Sequence, residues 1–304
     1  MRPHRVLLFV ICFWLSCSNA RAGGPPQDTS TPSPNSQTEA HVLLTLSAKN
    51  GGRLAAITKA DVSVRDDKHP VQVTELRAVK DDPLIFSLVM DISGSMRRVG
   101  GSEDSTALGI FKSLAGPGNR GHLVLFNDNL DQGVTDDAMD AASVERELRF
   151  HDWRGSTSFY DAILKAVPQL TTSKNGSSFR RLIVVISDGD DDSSHSSFGA
   201  ALGALQRFGI PLIGVYLHDP LTAKGRTLAE KEALKKFREL CEDSGGMLIN
   251  DPESAVPTVQ NYVASQYLLS FTPSPEAPQD LHMLQVKCTA GDCAVSAPAW
   301  YFAP

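Results

Sequence analysis

Cysteine, basic charge and long apolar runs are all scarce in this chain of 304 residues, and each scarcity removes a class of function. Five cysteines, with no Cys-x-x-Cys and no His-x-x-x-His spacing, argue against a zinc site. Lys and Arg number 29 against 35 Asp and Glu, which argues against the concentrated basic face of a nucleic-acid binder. After the first two dozen residues no apolar run is long enough to cross a bilayer. Also missing are the Gly-x-Ser-x-Gly elbow of serine hydrolases, the Asp-x-Asp-x-Thr start of phosphatases and the Gly-x-x-x-x-Gly-Lys phosphate loop. The chain is therefore read as a non-enzymatic protein with a substantial core, since 41% of its residues are hydrophobic.

Residues 1–22 have the form of a signal peptide. "MRPHR" is a short basic start, and "VLLFVICFWLSC" is apolar but too short for a hydrocarbon core of roughly 30 Å. Ala20-Arg21-Ala22 has the small-x-small pattern that signal peptidase accepts. Export to the periplasm or the cell exterior is expected. The rival reading is a lipoprotein anchored through Cys17, against which stands Trp14 where a lipobox wants Leu. Cleavage would remove Arg2, Arg5 and Arg21 and no acid, leaving 26 basic against 35 acidic residues. It would also remove Cys12 and Cys17, so that Cys241, Cys288 and Cys293 remain. Cys288 and Cys293 bracket the turn-like "TAGD"; a disulfide there would stabilise by about 2 kcal/mol through loop entropy, and unpaired thiols are the other reading. Cys241 sits in a helical pattern and reads as a small buried apolar residue.

Residues 23–40, "GGPPQDTSTPSPNSQTEA", hold almost nothing to bury and read as a disordered tether. Residues 41–82 are β-rich: "HVLLTLSAK", "ADVSVRD" and "PVQVTELRAV" alternate as strands, with "NGG" as a turn. From 83 to 266 continuous apolar strands such as "PLIFSLVMDIS" and "FRRLIVVISDGD" alternate with helical patterns such as "STALGIFKSLA" and "DDAMDAASVERELRF". That alternation predicts an α/β fold, a doubly wound and mostly parallel sheet flanked by helices. Residues 267–304 return to strands, "YLLSFTPS", "LHMLQVKCT" and "VSAPAWYFA". Neither β-rich flank is self-sufficient, so the late strands are expected to complete the sheet begun by the early ones.

Ligands of open α/β sheets bind beyond the carboxyl ends of the strands, and two predicted strands end there in oxygen donors: "LVMDISGS" and "LIVVISDGD". Between them, "GSTSFYDAI" places Thr157 in a loop that opens a helix. Asp91, Ser93, Ser95, Thr157 and Asp188 are therefore expected to converge. Hydroxyls and carboxylates without His or Cys suit a hard cation, Mg²⁺ first, with Mn²⁺ or Ca²⁺ as alternatives. Gly94 lets the chain turn so that both serine hydroxyls face one side.

"DISGSM", "GSTSFYDAI" and "VVISDGDDDSS" resemble, in this order, the metal-ion-dependent adhesion site of von Willebrand factor type A (VWA) domains. The resemblance spans roughly residues 84–266. The flanking "ADVSVRDDKHPVQVTEL" and "QYLLSFTPS", with "SGGMLIN" inside, are similar to VWFA-related proteins described from acidobacteria. The resemblance implies Ser93, Ser95 and, in one metal state, Thr157 as direct ligands, with Asp91 and Asp188 acting mainly through water. It also implies that an acidic residue of a partner protein completes the coordination, giving an adhesion-type, protein-binding module.

Relatives more often carry two glycines where this chain has Gly155-Ser156, so the serine either narrows the loop or adds a hydroxyl. The acidic run at Asp190, Asp191 and Asp192 favours a cation but repels an acidic partner, by about 1 kcal/mol per close pair in water; its plainer reading is a solvated loop. Trp153, His195 and Asp190 form the expected partner-contact rim, although Trp153 reads equally well as loop-to-core packing. His151 and His195 read as exposed loop histidines. Asn175-Gly-Ser matches a glycosylation sequon and, as Asn-Gly, a turn. Two other function classes stay open. One is an envelope scaffold in which the metal only steadies loops; the other, minor, is a hydrolase built from Ser93 or Ser95, His195 and Asp188.

Overall fold

The computed structural model describes residues 38–49, 54, 56–130, 138–172, 180–218, 227–276 and 280–303. The leader, residues 23–37 of the tether, the "NGG" turn and Asn175 lie outside them. The chain opens with four strands: β1 (Ala40–Ala48), β2 (Val62–Asp66), β3 (His69–Val71) and β4 (Val73–Ala78). Alternation follows: β5 (Leu84–Asp91), α1 (Gly100–Leu114), β6 (Arg120–Phe126), α2 (Ala141–Phe150) and α3 (Phe159–Thr171). Next come β7 (Arg180–Ser187), α4 (Phe198–Arg207), β8 (Leu212–Tyr216), α5 (Leu228–Asp243), β9 (Met247–Ile249) and α6 (Ala255–Ala264). Strands β10 (Gln266–Phe271), β11 (Leu281–Cys288), β12 (Cys293–Ser296) and β13 (Trp300–Phe302) end it.

The central sheet runs β6-β5-β7-β8-β9 with every neighbour parallel. All eight residues of β5 are buried, as a strand covered on both faces requires. The period of two sends Leu84, Phe86, Leu88 and Met90 into a core shared with α1, α2 and α6. Ile85 and Val89 enter the opposite core, with α3, α4 and α5. Two helices differ from their sequence patterns. Helix α2 starts at Ala141 because Asp140 caps it, its Oδ1 accepting from Ser143 N–H at 2.7 Å. Helix α1 starts at Gly100, five residues before the pattern suggested; the glycine pair there is a poor helix former and hid the first turn.

The two β-rich flanks meet, but as two sheets rather than the single one expected. One sheet has the order β12-β1-β10-β4 and the other β13-β11-β2-β3, and their apolar faces share a core that includes Val42, Leu44, Val64, Phe271, Leu284 and Tyr301. "VSAPAWYFA", read as one strand, is split at Pro298, so that β12 joins the first sheet and β13 the second. A disulfide between Cys288 and Cys293, Cα atoms 5.9 Å apart, links β11 to β12 and so one sheet to the other. Cys241 is buried on α5.

One cation joins this sandwich to the α/β part. Arg180, at the start of β7 and only 2% exposed, donates to Lys80 O at 3.1 Å, Asp82 O at 2.5 Å and Val263 O at 3.0 Å. It also donates to Gln266 Oε1 at 3.1 Å. Both chain crossings between the two parts, before β5 and after α6, are thereby tied to one guanidinium. The turn after α5 is fixed similarly: Gly245 O accepts from the hydroxyls of Tyr262 at 2.7 Å and Ser296 at 3.0 Å. Gly245 has φ +91°, and a Cβ there would meet Pro298 N at 2.7 Å, which explains the glycine in "SGGMLIN". Replacing Arg180 by Met leaves these carbonyls without their donor, and urea unfolding is expected to show a loss of about 3 kcal/mol; Arg180→Lys should restore only a minor part.

Candidate metal centre

In the sheet β5 lies between β6 and β7, so the chain leaves β5 on one side and returns on the other. The carboxyl ends of β5 and β7 therefore flank the crevice where doubly wound sheets bind ligands. Asp91 ends β5 and Asp188 follows β7. Asp91 is fully buried, and its carboxylate accepts from Ser187 Oγ at 2.7 Å and from Ser93 N–H at 2.9 Å. These two bonds fix its orientation.

Ser93 precedes and Ser95 lies within a short 3-10 turn, Gly94–Arg98, that places their hydroxyl oxygens 3.0 Å apart. The Ser95 hydroxyl also acts on Asp188, opposing the rise that burial gives its carboxyl. An octahedron with metal–oxygen bonds of about 2.0–2.1 Å has an edge of about 2.9 Å, so the serine pair matches two adjacent positions around Mg²⁺. Ser95 is exposed while Ser93 and Asp91 are buried, which opens the site on one side.

The loop of Thr157 is locked to the serine loop by backbone bonds: Gly94 N–H to Gly155 O at 3.0 Å and Arg154 N–H to Ile92 O at 3.0 Å. Asn127 Nδ2 donates to Arg154 O at 3.0 Å. Gly155 has φ +81°, and a Cβ there would run into the Asp128 carboxylate. Ser156 is not among the residues with positive φ, so the second glycine common in relatives is dispensable here.

The acidic run is neither a bare solvated loop nor simply extra charge beside a metal. Asp192 accepts from Thr157 N–H at 2.7 Å. Asp191 accepts from Phe159 N–H at 2.9 Å and from the Ser194 hydroxyl, so it caps the first turn of α3 from another loop. In return Asp161 on α3 accepts from His195 N–H at 2.8 Å and Ser196 N–H at 3.0 Å. This reciprocal buckle sets buried Thr157 against the loop that carries Asp188.

The electrostatics are one-sided. Burial, then the Asp188 charge, pushes the Asp91 carboxyl up to about 7, against the hydrogen bonds from Ser187 and Ser93. Burial also raises Asp188, and burial with Asp188 raises Asp190 to about 6. Glu103, in the first turn of α1, is held well above the usual carboxylate range by burial and by Asp91, Asp104 and Asp188. Among the described residues no Lys or Arg forms an ion pair with Asp91, Glu103 or Asp188. The oxygen donors and the uncompensated charge both fit a divalent cation.

The rim is mixed. The indole of Trp153 packs over Gly100 and against His151, ring centroids 4.6 Å apart, so it is largely committed to packing. His151, expected to be exposed, has a side chain only 5% exposed, 3.6 Å from Asp104. The His195 side chain is 97% exposed and faces Asp161 at 3.5 Å, and no hydrogen bond joins it to Ser93 or Ser95 among the described residues. Asp190 is half-buried beside Asp188. A second group of ligand-type side chains, Asp66, Asp67 and His282, lies in the sandwich with its ligand atoms within 4.8 Å of one another. Hydrogen bonds engage most of it: Asp66 with His282 Nδ1 at 2.8 Å and Ser274 N–H at 2.7 Å, and Asp67 with Met283 N–H at 2.9 Å.

The family model for "VWA domain containing CoxE-like protein" matches residues 58–239, more than half of the chain. This chain belongs to the VWA domain family. Membership makes a protein-interaction module its coarse functional class. No curated protein matches it. Among solved structures it is similar to an aerotolerance-related membrane protein from Bacteroides fragilis, at 18% identity over 59% of this chain and 98% of that one, TM-score 0.45. It is also similar to BatB from Bacteroides thetaiotaomicron, at 16% over 59% and 96%, TM-score 0.43. A von Willebrand factor type A protein from Catenulispora acidiphila shares 11% over 87% and 72%, TM-score 0.46. No helix among the described residues of this VWA protein is long and apolar enough to cross a membrane.

Sequence reasoning missed Ser187, Glu103 and the buckle of Asp161 with Asp191 and Asp192. Ser187 stands inside the quoted "VVISDGD" and could have been named as the partner of Asp91. A carboxyl whose folded value exceeds its unfolded one keeps its proton in the fold after the unfolded chain has lost it. Its stabilising contribution is complete below pH 3.8 and is lost as the pH rises through about 7. In chelator, the melting temperature of Asp91→Asn relative to wild type should therefore climb across that interval; a flat difference would show that Asp91 carries no such load.

Proposed function

We propose that this VWA domain binds one divalent cation, Mg²⁺ before Mn²⁺ or Ca²⁺, and uses it to capture a protein ligand through a carboxylate. Ser93, Ser95 and Thr157 would supply direct oxygen donors, and Asp91 and Asp188 would hold the ion mainly through water. When bound, the ion supplies an electrophilic centre for an incoming carboxylate. The observation that carries this reading is the hydroxyl pair of Ser93 and Ser95, 3.0 Å apart at the switch point beside buried Asp91 and half-buried Asp188. The exposed edge at Ser95 gives a partner access. With the leader-like residues 1–22, the reading extends to an exported adhesion-type module acting in the periplasm or outside the cell. The hydrolase alternative is disfavoured because the His195 imidazole stands at Asp161.

Isothermal titration of the full chain with Mg²⁺ should show one equivalent bound, reversed by chelator and weakened by about tenfold or more in Thr157→Ala. No uptake by wild type would overturn the proposal. A partner retained equally in chelator and in Thr157→Ala would instead point to the scaffold role.

A further inference from the structure

Glu103 is 0% exposed, and neither of its carboxylate oxygens has a hydrogen-bond partner. Buried carboxylates without partners are rare, and each calls for a cause. A glutamate in the first turn of a helix ordinarily serves as a cap, reaching back to a free N–H. Glu103 makes no such bond: its own N–H donates to Val99 O at 3.1 Å, while its side chain points inward. Helix-dipole attraction is equally available to an exposed acid, so it does not account for the burial. Packing alone would favour a leucine or methionine at this place.

The surroundings supply the missing cause. Glu103 lies eight residues after Ser95, and Met96, in the turn between them, is buried in the same core as α1. Its charged neighbours are Asp91, Asp104 and Asp188, two of which belong to the candidate metal centre. Asp91, Asp188 and Glu103 thus act on one another electrostatically, with no Lys or Arg paired to any of the three among the described residues, and Glu103 alone receives no hydrogen bond.

We infer that Glu103 is the third carboxylate of the metal centre, accepting hydrogen bonds from water bound to the cation. This rests on the metal-binding reading above and adds a consequence to it. With three carboxylates bearing on it, the ion is held by the protein before any partner arrives. Partner capture then fills a position on a resident cation, and does not recruit the ion.

The test uses the full chain and Mg²⁺ alone, with titration calorimetry and melting curves in Mg²⁺ and in chelator. Glu103→Gln is expected to bind Mg²⁺ at least about tenfold more weakly than wild type. In chelator its melting temperature should equal or exceed the wild-type value, because an uncompensated buried acid has been removed. The Mg²⁺-induced rise in melting temperature should shrink. Unchanged affinity in Glu103→Gln would overturn the inference and leave the metal-binding reading intact. An equal loss of melting temperature with and without Mg²⁺ would also overturn it, since that is what a purely structural residue shows. Failure of wild type itself to bind Mg²⁺ would remove the metal-binding reading, and the inference with it. If Glu103→Gln does not fold, Glu103→Asp serves instead: it keeps the charge but withdraws it from the water, so folding with weakened Mg²⁺ binding supports the role and folding with full affinity contradicts it.

Discussion

Buried acidic groups without a basic partner, at the carboxyl ends of β5 and β7 and in the first turn of α1, are the constraint on which the rest of this structure depends. Asp91 and Glu103 are fully buried and Asp188 is half-buried, yet none of the three has a basic partner among the described residues. Burying carboxylates in this way is strongly unfavourable unless something positive joins them. The loops around them are held rigidly, by Ser187 and the Ser93 amide on Asp91 and by the exchange of carboxylates between α3 and the loop after β7. With no basic partner to keep them ionised, these carboxyls hold their protons above the usual carboxylate range. The divalent cation proposed above would let them ionise.

The architecture serves that placement. A parallel sheet buried on both faces brings two strand ends side by side although 96 residues separate Asp91 from Ser187. The third loop cannot be placed by strand pairing, and it is set instead by hydrogen bonds to Asp191, Asp192 and the Gly94 amide. The β-sandwich from the two chain ends lies away from the strand ends that carry the site. Its connection runs through Arg180 at the opposite end of β7, so it steadies the sheet from the far side.

Much of this was legible in the sequence because the relevant patterns are local. An eight-residue run ending in Asp91, apolar except for Ser87 and that aspartate, identifies a doubly covered strand, and small oxygen donors at its end mark the crevice. The motif resemblance then named the same five residues, and the structure brings their loops together. Other features were not legible, for reasons that are also physical. Glu103 was passed over because the glycine pair before it disguises the start of α1. Asp191 and Asp192 read as surface charge because their partners, the amides of Phe159 and Thr157, are distant in sequence and carry no side-chain signature. Two sheets were taken for one because pairing partners between chain ends cannot be read from strand patterns, and only Pro298 hinted at the division. His151 looked like an ordinary loop histidine because its burial depends on Trp153 folding over Gly100.

The central claim is that a cation belongs between these loops, and anomalous diffraction from crystals of the full chain grown with Mn²⁺ tests it most directly. A single anomalous peak bonded to the hydroxyl oxygens of Ser93 and Ser95, next to Asp91, Asp188 and the Thr157 loop, is the predicted result. Density free of any peak at that place, with Asp91, Glu103 and Asp188 ordered as they are here, would contradict the account.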